Sequence, residues 1–406
     1  MHVLFVEPSF PANQQQFVRA LAAVGARVTG IGEAPASALP RDVKGWLDGY
    51  EQVRSVTDGQ ALLEAVERVQ AREWVDRLEA TVEAHIMPVA HVREACSIPG
   101  TSTRTAWLCR DKPAMKDALR EADIATAQST GADNIEDAKA FAASVGYPLI
   151  VKPRDGAGAS ATSRVENDAE LESALAECGV GHGASAALEE FIEGHEGFWD
   201  TLAVNGEVAH EFVSHYYPGV LEAMRTNWIS PQIVTTNQVD TETYDEVKGM
   251  GRAVLAALGI ETAPTHMEWF FGPKGLKFSE IGCRPPGVRV WDIYGAANGI
   301  DLYREWAQLL VHGQTDARAS REFAGGMIAL RPDKDGVITG AQGLDQVRRD
   351  YADCIIDVHC PAPGTPTQSV EAGYMANGWM RLRHPDFDTL RRILDDIGER
   401  VQVTAQ

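Results

Sequence analysis

A chain of 406 residues, 44% hydrophobic and 23% charged, has the composition of a globular protein of two or three domains, each able to bury a core. Its formal net charge of -21 argues against nucleic acid or an anionic membrane surface as the main partner. The cysteines (Cys96, Cys109, Cys178, Cys283, Cys354, Cys360) form no CxxC and no zinc-type spacing, which fits reduced thiols in a cytoplasmic protein.

Met1 leads straight into a compact apolar strand at 2–6, without the basic and apolar regions of a signal peptide, and no apolar run reaches membrane-spanning length. Helical periodicity over 14–24, closed by Gly25, precedes a second strand at 27–30. This β-α-β opening predicts a parallel, Rossmann-like sheet, without the G-x-G-x-x-G turn of a dinucleotide site. Another amphipathic helix covers 60–72. The polar segment 84–99, with His85, His91 and Arg93, is a candidate cleft lining, with plain surface as the ordinary alternative.

Helices are predicted over 113–120 and 135–145. Gly146-Tyr147-Pro148 stops the second before a strand at 149–153 that carries Lys152. A loop containing Gly156, Ala157, Gly158, Ala159 and Ser160 follows. Small residues let backbone N–H groups approach phosphate oxygens, and Lys152 adds a point charge beside them; a flexible linker has the same composition. The short extended stretch 187–194 is dense in carboxylates. A strand at 198–204 turns at Asn205-Gly206 into 207–213, a strong hairpin signal. From Tyr216 to Val239, including Arg225, Trp228 and Gln232, no period holds, and a long functional loop is expected. A helix at 245–258 ends at Gly259.

The stretch from Thr265 to Gly287 concentrates the chemistry. Two strands flank Pro273-Lys274-Gly275, read as a three-residue hairpin loop. Pairing Gly272 with Leu276 then brings Glu268 opposite Glu280, with His266 and Gly282 next on the same face. Facing carboxylates repel each other. A divalent cation turns that defect into a site, because Mg²⁺ takes hard oxygen ligands and borrows the rest from water and phosphate. The competing reading is a solvated hairpin face. Arg284, stiffened by Pro285-Pro286-Gly287, is placed for a bound anion. Cys283 reads as a packed small hydrophobe, since no histidine base is placed for it. A helix opening at 298–303 runs to 311, and a composition shift at 313–320 marks a boundary. Short strands, a turn at 361–364, a strand near Trp379 and a last helix at 386–397 complete the chain.

In this order the motifs resemble the ATP-grasp superfamily, and most closely its carboxylate–amine ligases, grouped with the L-amino acid ligases and biotin carboxylase. The resemblance rests on Asp111-Lys112, Leu149-Ile150-Val151-Lys152-Pro153, the glycine loop, Leu188-Glu189-Glu190-Phe191-Ile192, and the paired Glu268 and Glu280 with Arg284. It implies an α/β fold of the α+β ATP-grasp kind. A Rossmann-like domain would span 1–110, an ATP-grasp small lobe 111–190, a large lobe with the metal site 191–315, and a small β-rich C-terminal subdomain 316–406.

The resemblance also implies ATP and Mg²⁺, or Mn²⁺, as cofactors. Lys112 and Lys152 would hold phosphates under the glycine loop. Glu189, Glu190, Phe191 and Ile192 would form the hinge reading adenine, and Glu196 would bond the ribose hydroxyls. Glu268 and Glu280 would hold the metal. Arg284, with Lys152 the catalytic pair, would bind the substrate carboxylate or acyl-phosphate. His85, Trp228, His266, Arg289 and Trp291 are further candidates for the substrate pocket. One position departs from the family's Glu-x-Asn pattern: Gly282 stands where a metal-binding Asn is usual, which removes a ligand from the second metal. The implied activity is ADP-forming ligation of a small-molecule carboxylate, an amino acid or peptide, to an amine through an acyl-phosphate. Carboxylase-type or purine-pathway-type ligation and a nucleotide-binding pseudoenzyme are the alternatives. A homodimer is implied, with neither nucleic acid nor membrane as a partner.

Overall fold

The computed structural model describes residues 1–154, 162–226 and 229–406. Gly156, Ala157, Gly158, Ala159, Ser160 and Trp228 therefore lie outside the described residues.

The chain opens with strands β1 (His2–Val6), β2 (Arg27–Gly32), β3 (Gly49–Gln52) and β4 (Arg77–Glu79), all parallel, in the order β3-β2-β1-β4. β1 is buried at all five positions, as a parallel strand covered on both faces should be. Helix Gln14–Ala23 lays Phe17, Val18 and Leu21 on this sheet, and helix Gly59–Gln70 adds Leu62, Val66 and Val69. The polar segment expected to line a cleft is largely helix Ile86–Ala95. Its Arg93 is buried, donating to Leu78 O at 2.7 Å and to Glu79 at 3.0 Å, which makes it a structural residue.

A second, antiparallel sheet has the order β5-β8-β6-β7, from β5 (Ser129–Ala132), β6 (Leu149–Pro153), β7 (Ser163–Val165) and β8 (Ala186–Glu190). Helices Ile135–Val145 and Asp168–Glu177 cover it with Ala138, Ala142, Leu171 and Leu175.

The remaining strands are β9 (His195–Val204), β10 (Glu207–Tyr217), β11 (Gln232–Thr235), β12 (Ala263–Gly272), β13 (Gly275–Gly282), β14 (Ala324–Leu330), β15 (Ile338–Gln342), β16 (Ile355–His359), β17 (Gly378–His384) and β18 (Gln402–Ala405). Eight of them form one sheet in the order β13-β12-β9-β10-β11-β14-β17-β16, and β15 pairs with β18 in a ribbon. The expected loop at 216–239 is a correction: it holds the short helix Val220–Ala223 and β11, an interior strand buried at all four positions. Four residues with no exposed face give no alternation to read. Of the strands after residue 315, β14, β17 and β16 extend the large sheet through β11–β14 pairing, while β15 and β18 form the separate ribbon.

Helix Val290–Asn298 went unread in the sequence, because Pro285-Pro286-Gly287 just before it signals irregular chain. It buries Trp291, whose ring packs 5.4 Å from Phe17 and 5.3 Å from Tyr303, centroid to centroid. With Phe5 and Trp306 these rings bolt the first sheet's helix to the large sheet. Trp291 is thus a core residue, and the pocket role considered for it falls away.

Candidate active site

The hairpin β12–β13 brings the acids together by a different route from the one expected. Gly272 pairs with Gly275 across a two-residue turn, so the register near the turn is one residue off the predicted one. An irregularity between Trp269–Phe278 and Glu268–Glu280 absorbs Ser279 and restores it. Such a bulge re-aims side chains: Phe278 packs in the core with Trp269, while Glu268 and Glu280 both line a cavity of about 860 Å³. That size suits a small ligand. Ile150, Phe191, Ile192, Phe270 and Phe278 supply part of its apolar lining, and charged side chains from several elements face it as well.

Three lysines enter the cavity from two elements. Asp111 caps helix Lys112–Glu121, accepting from Ala114 N at 3.0 Å, and also pairs with Arg154 at the end of β6 at 2.8 Å. The helix presents Lys112 and Lys116 one turn apart, a like-charged pair that needs an anion to be stable. Lys116 Nζ lies 2.6 Å from Glu189 Oε1. Lys152, from β6, reaches the same oxygen at 3.0 Å and Glu280 Oε2 at 3.9 Å. Lys112 Nζ lies 3.7 Å from that Glu280 oxygen. Burial lowers the Lys116 ammonium to about 8. Burial opposes the charge of Glu189 too, but Lys116 and Lys152 outweigh it and bring its carboxyl down to about 2. Lys116 was missed in the sequence, although its spacing from Lys112 could have found it.

The acids at the other wall outnumber the cations near them. Burial, then the charge of Glu268, pushes Glu196 up to about 8; its Oε2 accepts from Val220 N at 2.7 Å. His266 Nδ1 sits 2.7 Å from Asp200 Oδ1, and its Nε2 sits 3.5 Å from Glu268 Oε1. Burial favours the neutral ring, but Asp200 and then Glu268 overcome it and raise the imidazolium to about 9. The Tyr294 hydroxyl anchors Asp200 at 2.5 Å, and Tyr216 donates to Glu268 at 3.3 Å. Glu268 stays ionised against its burial, mainly because of His266. An acid cluster with this surplus of negative charge suits a divalent cation. Among the described residues no group of three or more His, Cys, Asp or Glu side chains can enclose a metal. Two carboxylates that share an ion with phosphate oxygens and water match the habits of Mg²⁺.

Arg284 also lines the cavity, with Nε 2.6 Å from Glu83 Oε2 and one Nη on Pro285 O at 2.8 Å. Arg110 takes the other oxygen of Glu83 at 3.0 Å. A Cβ at position 282 would lie 3.4 Å from both Arg284 Cγ and Glu83 Oε2, so the ion pair occupies the side of the strand that an Asn would use. Nothing local in the sequence announces Glu83 as a partner of Arg284, 201 residues away.

Other expected residues fall on both sides of the line. Glu190 lines the cavity, pairs with Lys274 of the hairpin turn and accepts from Gln128 N at 3.2 Å. Phe191 lies under the Arg164 guanidinium at 4.2 Å, and Ile192 is buried beside it. His85 is buried and absent from the cavity wall, its ring held below the usual histidine range by burial. Arg289 is absent too, because it turns back onto Asp292 at 2.5 Å.

Residues 111–195 match the family pattern described as "Carbamoyl-phosphate synthase L chain, ATP binding domain". The chain is 27% identical over 248 residues to the L-arginine-specific L-amino acid ligase of Bacillus subtilis, covering 60% of this chain and 59% of that one. It is 23% identical over 229 residues to the alanine–anticapsin ligase of Bacillus subtilis (strain 168), covering 52% and 48%. The chain therefore spans somewhat over half the length of the first relative. Among solved structures, the L-amino acid ligase from Bacillus licheniformis superposes with a TM-score of 0.79 at 18% identity over 100% of this chain and 98% of that one. The N5-carboxyaminoimidazole ribonucleotide synthetase from Thermotoga maritima gives 0.69 at 16% over 100% and 99%.

Proposed function

From the ATP-grasp fold of this chain, we propose that it is an ADP-forming ligase that joins a small-molecule carboxylate, an amino acid or peptide, to an amine. The observation that carries this reading is the convergence of Lys112 and Lys152, from two separate elements, within 3.7 and 3.9 Å of one oxygen of Glu280 in a facing acid pair. MgATP, when bound, supplies the phosphoryl group that activates the carboxylate. The protein's own contribution is positioning and charge neutralisation. Lys112 and Lys152 bind phosphate oxygens, and Lys116 holds Glu189 so that Lys152 keeps its direction. Glu268 and Glu280 hold Mg²⁺, or Mn²⁺ in its place, with His266 and Tyr216 fixing Glu268. Ile192, Phe191 and the backbone of Glu189 and Glu190 face the base, and Glu196 the ribose. Arg284 neutralises the acyl-phosphate.

A cytoplasmic setting and a homodimer belong to the same reading. Free cysteines support the first, and sedimentation tests the second. Among the described residues no helix is long and apolar enough to cross a membrane.

The test is phosphate release with MgATP over pairs of amino acids and other amines, followed by mass spectrometry. ADP, phosphate and an amide that require both partners are expected. AMP and pyrophosphate, or incorporation of labelled bicarbonate into the product, would overturn the reading.

A further inference from the structure

Cys109 and Cys283 stand 174 residues apart in the chain, yet their Sγ atoms meet at 3.1 Å. Both are free and buried, and the site chemistry above uses neither. Cys109 ends helix Thr103–Leu108, and Cys283 directly follows β13. Each is followed by an arginine bound to Glu83, Arg110 at 3.0 Å and Arg284 at 2.6 Å. Two consecutive residue pairs thus form one clasp, sulfur against sulfur on one side and a shared carboxylate on the other. A disulfide bond of about 2.05 Å needs the sulfurs to approach by about 1 Å more. Cys283 also lines an internal cavity of about 20 Å³, space on the scale of one water molecule.

We propose that Cys109 and Cys283 are a redox-modification site, closed to a disulfide by hydrogen peroxide. The Cys283 sulfur attacks one peroxide oxygen, the O–O bond breaks, and water leaves a sulfenic acid on Cys283. The Cys109 sulfur then attacks Cys283 sulfur; the S–S bond forms, the S–O bond breaks, and a second water carries off the thiol proton. The two thiols lose two electrons and two protons, and peroxide is reduced to two waters. The closed clasp fixes Arg284 against Glu83 and Arg110, so the guanidinium no longer shifts toward a bound anion. This consequence for turnover rests on the ligase reading; the cross-link itself does not.

The full chain is treated with peroxide at neutral pH, alkylated, and digested without reductant. A linked Cys109–Cys283 peptide is expected, with an intact mass about 2 Da below that of the reduced protein, reversed by dithiothreitol. The melting midpoint rises by roughly 5 °C, because the link closes a long loop. Phosphate release falls several-fold and recovers on reduction. Cys109→Ser gives neither linked peptide nor melting shift, whereas Cys178→Ser behaves as the parent chain. Recovery of both cysteines from the folded parent chain as separately alkylated or over-oxidised peptides overturns the proposal, whatever the variants do. A linked peptide with unchanged phosphate release overturns the effect on turnover alone. Absence of phosphate release from the reduced protein with every substrate pair fails the ligase reading, and the linked peptide still decides the clasp.

Discussion

Lys152 stands between Glu189 at 3.0 Å and Glu280 at 3.9 Å, so its ammonium is the bridge between the two walls of the cavity. Lys152→Ala is expected to cut phosphate release by roughly 100-fold or more, the scale of losing one preorganised charge at a reacting phosphate. Glu280→Gln should instead raise the magnesium concentration needed for half-maximal release, which a metal titration reads directly. His266 offers a test that needs no substrate. Its folded-state pKa, about 9, exceeds the ordinary histidine value. The stability it contributes is therefore full below about pH 6.5 and lost as pH rises through about 9. Thermal midpoints should fall over that window, and Asp200→Asn should flatten the fall as well as lowering the midpoint. An unchanged slope in the variant would detach His266 from Asp200. At this scale the facing acids were legible, because strand register is arithmetic on the sequence. Glu83 and Asp200 were not, since each meets its partner only after distant elements have packed.

Two backbone approaches fix the elements around the hairpin. A Cβ on Gly272 would come 2.1 Å from Glu193 O, and one on Gly194 would come 2.6 Å from Phe271 O. The turn of β12–β13 therefore rests on the segment joining β8 to β9, with Lys274 and Glu190 pairing across the same contact. Gly272→Ala must push these backbones apart. A loss of about 1–3 kcal/mol in denaturant unfolding is expected, with weakened nucleotide binding because the segment carries Phe191 and Ile192. Asp111→Ala removes a helix cap and the partner of Arg154 together. It should cost about 1 kcal/mol of stability and raise the KM for ATP, because Lys112 begins that helix. Most elements could be read from periodicity and turn chemistry, such as the Asn205-Gly206 hairpin and the helix that Gly259 closes. β11 could not, since an interior strand of four buried residues carries no period. The hairpin's acid pair was reached by a simpler turn than the real one, and the bulge at Ser279 corrected the count.

Across the whole molecule, the ordered set of motifs made the architecture legible, while the joining of its parts was not. The sheet that begins at the acid hairpin runs on through β14, β17 and β16, so a chain ending near residue 315 would expose the edge of β11. Such a truncation should yield insoluble protein, checked by comparing soluble expression with the full chain. The rings of Phe5, Phe17, Trp291, Tyr303 and Trp306 clamp the first domain to this sheet. Among the described residues no such ring packing ties down the sheet β5-β8-β6-β7, whose core is built from alanine, leucine and valine. The nine tryptophans of the chain follow the same division, and none lies between residues 111 and 194. Intrinsic fluorescence would therefore report on the rest of the molecule and be nearly blind to changes at this sheet. An optical probe for this part of the molecule has to be installed there, and Cys178, the one thiol between residues 111 and 194, at the end of helix Asp168–Glu177, offers the attachment point.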